Sequence, residues 1–535
     1  MVEDSSTIEM LPASPIGIDL GTTYSAVAVY SGGKPHILEI EGQRTIPSIV
    51  HYPAGDSAEP VVGKRAQSHL QRNPERTVAL IKRHMGESDY RRSIDDREYT
   101  ARDVSADILR YLLDGAQRQL GGTITTAVVT VPAYFTQSAK EDTLQAARDA
   151  GLQHVSLLPE PTAAALAYAH GRATDQHVLI YDLGGGTFDV SIIKVQTTDP
   201  VRSTMDVIGV GGDSHLGGAD FTEAVYKLIA AEVKEHTGLD LLAPDGVDVG
   251  ISKDKLLGNR ARLLDAAEEA KLDLSSASET QISVPNIMTE GTPYTLDYCL
   301  SRGRFEELIT TYIDRTEATV RATLAAHGLT PAGIDRVLLV GGSSAIPLVA
   351  ARVTAIFERE PFRDINPAEC VALGAAMMAA ESTMVGDAPP PIAITQRTVH
   401  DFGIAVSGRV FDLVVPRDAE LPVKGAKLYY TQQENQRQIA INVYQSLCAV
   451  VPGESPPSID HNPDLVFLDE ITLNGIPQGP KGAYAVDVAF DIDTNDTLSV
   501  TARCTRAPGY GGADVAVAES LRIERASKRT TKAAV

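Results

Sequence analysis

Short apolar runs that end in an aspartate and a glycine turn recur along this chain. Val178-Leu179-Ile180-Tyr181 is an apolar run bounded by turn formers, the pattern of a buried strand. Asp182 stands at its end, where an open α/β sheet presents ligand-binding groups. Gly184, Gly185 and Gly186 follow. Consecutive glycines weaken a strand, so they predict a tight turn whose N–H groups face a ligand. Thr187 and Asp189 then lead into a second apolar run, Val190–Val195. The same design occurs in Pro15–Tyr30, where a strand ends in Asp19-Leu20-Gly21, Thr22 and Thr23 follow, and a second strand begins. Val337–Gly342 is a further strand running into Gly341-Gly342. Recurrence of one hairpin predicts a duplicated pair of lobes with a nucleotide between them. Turn amides would hold phosphate, and the aspartates would hold a hydrated cation. For either hairpin alone, a plain glycine-rich turn with an acidic tip is the competing reading.

The intervening pattern alternates strands and helices. Thr126–Val131 and His154–Leu158 read as strands, and Ser138–Ala150 and residues 162–169 as helices. Glu160 precedes the second of these helices, a favourable place for a carboxylate in the helix field. Residues 207–236 give a strand, the turn Gly217-Gly218 and a helix; residues 254–276 give another helix. On the latter, Glu268, Lys271 and Ser275 share one face, a spacing that a solvated face with one ion pair would also produce. Lys82, beside Arg83, reads in isolation as part of a solvated helix face. Met384–Ala393 is a proline-rich break. Beyond it, short alternating runs at Leu428–Thr431, Ile439–Tyr444, Asp464–Leu473, Tyr484–Ile492 and Thr497–Cys504 predict an all-β module. Ser520–Glu524 offers one more strand before a basic tail.

At 535 residues the chain is too long for one core. Its net charge of −22 disfavours broad nucleic-acid binding and suits a soluble cytoplasmic protein. Cys299, Cys370, Cys448 and Cys504 are scattered without a CxxC pair, which argues against a zinc site or a disulfide framework and for a reducing compartment. The first residues lack an apolar signal-peptide core, and no run approaches the roughly 20 apolar residues a membrane span needs.

Several stretches together resemble the heat-shock 70 (DnaK) family. They are IGIDLGTTYS (16–25), AVVTVPAYF (127–135), EPTAAALAY (160–168), IYDLGGGTFDVSII (180–193), HLGGADF (215–221), RVLLVGGSSAIPLV (336–349) and NPAECVALGAA (366–376). Weaker matches continue through DFGI (401–404), LPVKGAK (421–427), QIAINVYQ (438–445) and VAFDIDTNDTLSVTAR (488–503). The resemblance implies an α/β, actin-like, duplicated-lobe ATPase domain of the sugar-kinase type at residues 15–384. It also implies a linker at 385–400 and a β-sandwich that binds substrate at 401–508, with a disordered lead at 1–14 and a tail at 509–535. The long helical lid of full-length members is expected to be missing, and the region between Gly86 and Thr126 to be short, as in bacterial members of the HscC type.

The resemblance further implies ATP and Mg²⁺ as cofactors, with K⁺ as an optional further ion. It assigns Lys82, Glu160, Asp182 and Thr187 to catalysis, and Asp19, Asp182 and Asp189 to the metal. Nucleotide binding falls to Gly21, Thr22, Thr23, Tyr24, Gly184, Gly185, Gly186, Gly217, Gly218, Glu268, Lys271, Ser275, Gly341, Gly342 and Ser343. The peptide groove falls to Ile404, Ser407, Tyr429, Gln432, Ile439 and Ile441. Implied partners are unfolded or extended polypeptide, a J-domain co-chaperone and a nucleotide-exchange factor.

The chain also departs from the family pattern. Ala345 replaces an arginine that stacks on adenine, with Leu272 on the facing helix. Ser156, Pro159 and Lys140 replace an arginine, an asparagine and an arginine used in co-chaperone docking and interdomain switching. The linker lacks an apolar Leu-Leu-Leu-Asp run. Ser407 and Gln432 stand where an apolar arch closes over peptide, and Ile439 replaces a smaller valine. Three function classes follow: an ATP-hydrolysing chaperone, an ATP-binding scaffold working through a fixed partner, and a small-molecule kinase.

Overall fold

The computed structural model describes residues 14–55, 59–170, 172, 174–199, 202–244, 246–362, 366–381, 392–450, 455–494, 496–508, 510 and 517–522. The expected lead (apart from Ser14), the linker residues 385–391 and the basic tail from 523 onward lie outside the described residues. The chain divides into two compact units, Met1–Tyr134 with Thr143–Ala393, and Phe135–Asp142 with Ile394–Val535.

The first unit repeats one sheet plan. Ile16–Asp19 is flanked by Thr126–Val131 in parallel, with Ile18 beside Val129, and by Tyr24–Ser31 antiparallel, with Asp19 beside Ala26. Thr174–Leu183 is flanked in the same way by Arg336–Val340 in parallel, with Asp182 beside Val340, and by Phe188–Asp199 antiparallel, with Asp182 beside Asp189. Ile16, Ile18, Val178, Leu179 and Ile180 are fully buried, as central strands covered on both faces must be. The strands of the second hairpin outrun their apolar cores. They pair on through Asp175 beside Gln196 and His177 beside Lys194, because an antiparallel ladder can carry polar side chains at its solvated end. His154–Pro159 extends the first sheet and Arg202–Asp213 the second.

Helices cover these sheets through their apolar stripes. Phe221, Val225 and Ile229 of Gly218–Thr237, Leu263 of Lys253–Leu274, and Phe305, Ile309 and Ile313 of Arg302–Ala326 share one core with Leu179, Val190 and Ile192. Between Gly86 and Thr126 lie the hairpin Arg92–Ile94 with Arg97–Tyr99 and the helix Ala101–Leu120. Thr100 and Asp103 form a capping box at the start of that helix. Helix Cys370–Glu381 packs unusually close to its neighbours. A Cβ on Gly17 would lie 2.1 Å from the Ala376 amide nitrogen, and one on Gly374 would lie 1.9 Å from the Ala163 carbonyl oxygen. Ala26, Ala28, Ala372 and Ala376 keep the remaining contact thin.

The second unit is a pair of four-stranded antiparallel sheets. One runs Val410–Val415, Asp401–Val406, Gln438–Ser446, Leu465–Asn474; the other runs Val423–Tyr430, Tyr484–Ile492, Leu498–Arg506, Val517–Arg522. Phe402, Val443, Leu473, Val488, Phe490 and Val500 form its core, the interdigitated interior of a sandwich. Asp401–Val406 and Val410–Val415 carry no alternating signature. Asp401 is buried there because its carboxylate accepts from the Arg417 amide at 2.8 Å, Arg417 Nε at 3.0 Å and the Val450 amide at 3.0 Å. The last described strand is Val517–Arg522, set by pairing of Ser499 with Arg522 and Cys504 with Val517; it starts before the expected Ser520, and residues 523 and 524 of the expected run lie outside the described residues. All four cysteines are free, with Cys370 and Cys504 buried. Among the described residues no helix is long and apolar enough to cross a membrane.

Gly374→Ala should destabilise the first unit by about 1–3 kcal/mol, the cost of overpacking a filled contact. Urea denaturation followed by circular dichroism measures it, and an unchanged midpoint would show that the helix can move away without cost.

Candidate functional site

The ends of the parallel strands converge on one cleft of about 360 Å³ in the first unit. Asp19 closes Ile16–Asp19, Glu160 follows His154–Pro159, and Asp182 lies near the end of Thr174–Leu183. Ligand groups gather at strand ends in this way because the turns there are free to vary. Lys82 is only 5% exposed, in the short turn Ile81–His84, and it forms an ion pair with Glu160. The solvated-face reading of this lysine is therefore corrected: a carboxylate from elsewhere in the chain compensates its burial. Neighbouring Arg83 pairs with Asp220 at 2.5 Å, and Asp220 also accepts from the Gly217 amide at 2.7 Å.

The two glycine hairpins abut. Gly184 N–H donates to the Thr187 carbonyl at 3.0 Å, closing the second turn. A Cβ on Gly185 would lie 1.9 Å from Thr23 Oγ1, and one on Gly186 would lie 2.6 Å from Thr22 Cγ2. Ser48 braces the first turn, donating to the Gly21 carbonyl at 2.8 Å. Gly341 has φ of 80°, and a Cβ there would lie 2.6 Å from Asp182 Oδ1, so the third glycine element meets the second at the acid. Ser343 Oγ adds a bond to the Gly184 carbonyl at 2.9 Å.

Of the residues expected at the nucleotide, Gly21, Thr22, Thr23, Tyr24, Gly184, Gly185, Glu268, Lys271, Ser275, Gly341, Gly342 and Ser343 line this cleft, as do Asp19, Lys82, Glu160, Asp182 and Thr187. Gly186, Gly217 and Gly218 are not among the lining residues. Gly217 is pressed against Gly186, where a Cβ would lie 2.6 Å from the amide nitrogen, and the Gly218 carbonyl accepts from Lys271 at 3.1 Å. Asp189 is also behind the lining, fully buried and accepting from the Tyr134 amide at 3.0 Å. The helix face carrying Glu268, Lys271 and Ser275 is not a solvated one. Lys271 is buried and pairs with Glu268 at 2.6 Å, and Thr222 Oγ1 donates to the same carboxylate at 2.5 Å. The lining also includes Thr45, Val340, Ile346, Pro367, Ala368 and Val371, which the motifs did not assign. Pro367, Ala368 and Val371 lie in the NPAECVALGAA stretch, and Thr45 has no sequence signal.

Asp19, Glu160 and Asp182 in the cleft, with Asp189 behind it, outnumber the Lys82 ammonium, and the three aspartates are raised. Burial, then Glu160, raises Asp19 to about 7, against the opposing pull of Lys82 and Thr130. Burial, then Glu160, raises Asp189 to about 7, with the Tyr134 amide, Lys82 and Thr187 opposing. Burial, then Glu160, Asp189 and Asp19, holds Asp182 well above the usual carboxylate range. Burial, then Asp182 and Asp19, pushes the Cys370 thiol up as well.

The donor set is all oxygen, which suits a hard cation. Among the described residues no three His, Cys, Asp or Glu side chains converge as direct ligands. The residues therefore fit magnesium held through its own waters by Asp19 and Asp182, the way a strongly hydrated ion is commonly bound.

The second unit carries a separate cavity of about 490 Å³. Ile404, Ser407, Tyr429, Gln432, Ile439 and Ile441, the six residues expected at a peptide groove, all line it. Tyr429 donates to Asp412 at 2.7 Å, and the Gln436 side chain accepts from the Gln432 amide at 2.8 Å, so polar bonds hold part of the wall.

Abutting phosphate-type hairpins in a duplicated α/β unit, followed by a β-sandwich, define an actin-like ATPase architecture joined to a β domain. A family model for Hsp70 protein matches residues 15–524, and the chain belongs to the Hsp70 family. Members of this family are ATPases that bind ATP with Mg²⁺ and act as chaperones on unfolded polypeptide.

Metal-free protein should lose thermal stability as pH rises from about 4 through about 7. Asp19 and Asp189 hold protons in the folded state that the unfolded chain has already released, so their contribution is full below the unfolded value and is lost above the folded one. Scanning calorimetry in chelator tests this, and Asp189→Asn should flatten the slope while keeping an oxygen to accept from the Tyr134 amide.

Proposed function

We propose that this chain hydrolyses ATP to ADP and phosphate and thereby controls the binding of unfolded or extended polypeptide in the groove of its second unit. The observation that carries the reading is the Lys82–Glu160 pair, which lines one cleft with Asp19, Asp182, Thr187 and both glycine turns. Phosphoryl transfer needs positioning and charge neutralisation more than covalent chemistry.

The amides at Gly21, Thr22 and Thr23 and at Gly184 and Gly185 would grip the β- and γ-phosphates from two sides. Lys82 Nζ would sit by the γ-phosphate and balance its developing charge. Glu160 and Asp182 would orient the attacking water, with Thr187 Oγ1 against the γ-oxygens. Magnesium, when bound through Asp19 and Asp182, supplies charge withdrawal from the phosphate oxygens. At the other end of the cleft, Glu268, Lys271 and Ser275 would hold the ribose and base.

Ordinary J-domain stimulation is expected to be weak, because Ser156 and Pro159 carry no cationic or amide side chain for docking. A second reading, an ATP-binding scaffold with little client cycling, is supported by the groove wall. Ser407, Gln432 and Gln436 are polar there, which lowers the return for burying a leucine-rich peptide.

Single-turnover ATP hydrolysis, with and without a short apolar peptide, separates these readings. Lys82→Ala should slow the chemical step by about 10²–10³-fold, as loss of one preorganised charge partner does. Acceleration by peptide supports the chaperone. Hydrolysis indifferent to peptide favours the scaffold. Tight ATP binding without turnover would overturn the ATPase.

A further inference from the structure

The base end of the nucleotide cleft borders a further cavity. If phosphates lie at the glycine turns, the base must lie at the far end, against Leu272, Ser275 and Ile346. Ser275 and Pro367 line this cleft and also line a second cavity of about 700 Å³. Ala345, which closes the turn Gly342–Ala345, lies on the wall of the second cavity and contributes only a methyl group. Beyond it the helix Pro347–Phe357 presents Ala350, Ala351 and Thr354, whose small side chains leave that volume unfilled. Phe362 supplies an aromatic wall, and among the described lining residues Glu360 is the one ionisable side chain. Leu272, on the opposite side of the base end, is half exposed and adds no charge or donor.

The chemistry of an adenine nucleotide fixes which group meets this opening. Ribose is attached at N9, so the edge remote from the sugar is the six-membered ring with its N6 amino group. Ser275 Oγ donates to the Lys271 carbonyl at 3.3 Å, which leaves the oxygen's lone pairs to accept a hydrogen bond. A singly substituted N6 keeps one N–H for that acceptor while its substituent passes toward the second cavity. Among the described residues the mostly small and apolar lining favours an apolar or aryl group, and Glu360 disfavours an anionic one.

We propose that this site admits adenine nucleotides bearing an apolar or aryl substituent on N6, and that the small side chains at Ala345 and Ala351 set this tolerance. The proposal rests on the reading of the cleft as an ATP site.

Calorimetric titration of the wild-type protein with ATP and with N6-benzyl-ATP, in magnesium, tests it. The two dissociation constants should agree within about threefold. Ala351→Phe, placed in the second cavity away from the phosphates, should weaken N6-benzyl-ATP by about tenfold or more and leave ATP unchanged. Ala345→Arg, whatever its own stacking on adenine does to ATP affinity, should raise the ratio of the N6-benzyl-ATP to the ATP dissociation constant by narrowing this end of the cleft. A wild type that binds N6-benzyl-ATP more than about tenfold weaker than ATP overturns the proposal while leaving the ATP site intact. Equal weakening of both nucleotides by Ala351→Phe likewise overturns it. Failure of ATP itself to bind overturns the underlying reading and the proposal together.

Discussion

Charge confined to a small, largely buried space governs the first unit. At an effective dielectric of about 20, two like charges 4 Å apart repel by about 4 kcal/mol, and burial adds a desolvation cost to each. Glu160, Asp182 and Asp189 are buried and Asp19 is partly buried, with Lys82 as the nearby ammonium. One cation cannot balance four carboxylates, and Asp19, Asp182 and Asp189 are raised above the ordinary carboxylate range. A hydrated dication changes that balance without any carboxylate having to reach it directly. The same imbalance accounts for the Lys82–Glu160 pair: the lysine is held inside by the acid that most raises its neighbours.

Close backbone approach is what brings these charges together. The acids come from separate strand ends, and the helix Cys370–Glu381 presses on Gly17 of the first strand while Gly374 receives the backbone of Glu160–Ala169. Gly341 meets Asp182 at a separation that leaves no room for a methyl group. The site therefore depends less on any one hydrogen bond than on a few positions where absent side chains let backbones touch. The sandwich of the second unit has no such demand, and its core of alternating apolar residues follows the simpler rule of two inner faces.

What could be read from the chain alone tracks how local each signal is. Asp19 and Asp182 announce themselves because strand, acid and glycine turn are contiguous, and the duplication is visible as a repeat of that string. Lys82 does not, since a Lys-Arg pair reads as solvent-facing until Glu160, 78 residues on, is placed beside it. Asp189 shares the second hairpin with Asp182, but its place on the partner strand turns it behind the cleft lining. Thr45 enters the cleft only through tertiary folding, and no periodicity marks it. In the second unit the weak family matches point to six residues that line one cavity. Asp401–Val406 escaped pattern reading because a buried carboxylate, satisfied by Arg417 and the Val450 amide, interrupts the expected alternation.

The abutting hairpin tips bear on how such a unit can change over generations. Copies of a duplicated segment ordinarily drift apart, each accepting substitutions on its own account. Here Gly185 faces Thr23 and Gly186 faces Thr22 with no spare volume between them. A side chain gained on one tip is tolerated only if the other tip shrinks in the same lineage. The two descendants of the ancestral hairpin are thus bound to a shared history at these positions, while the outer strands of each sheet remain free to diverge.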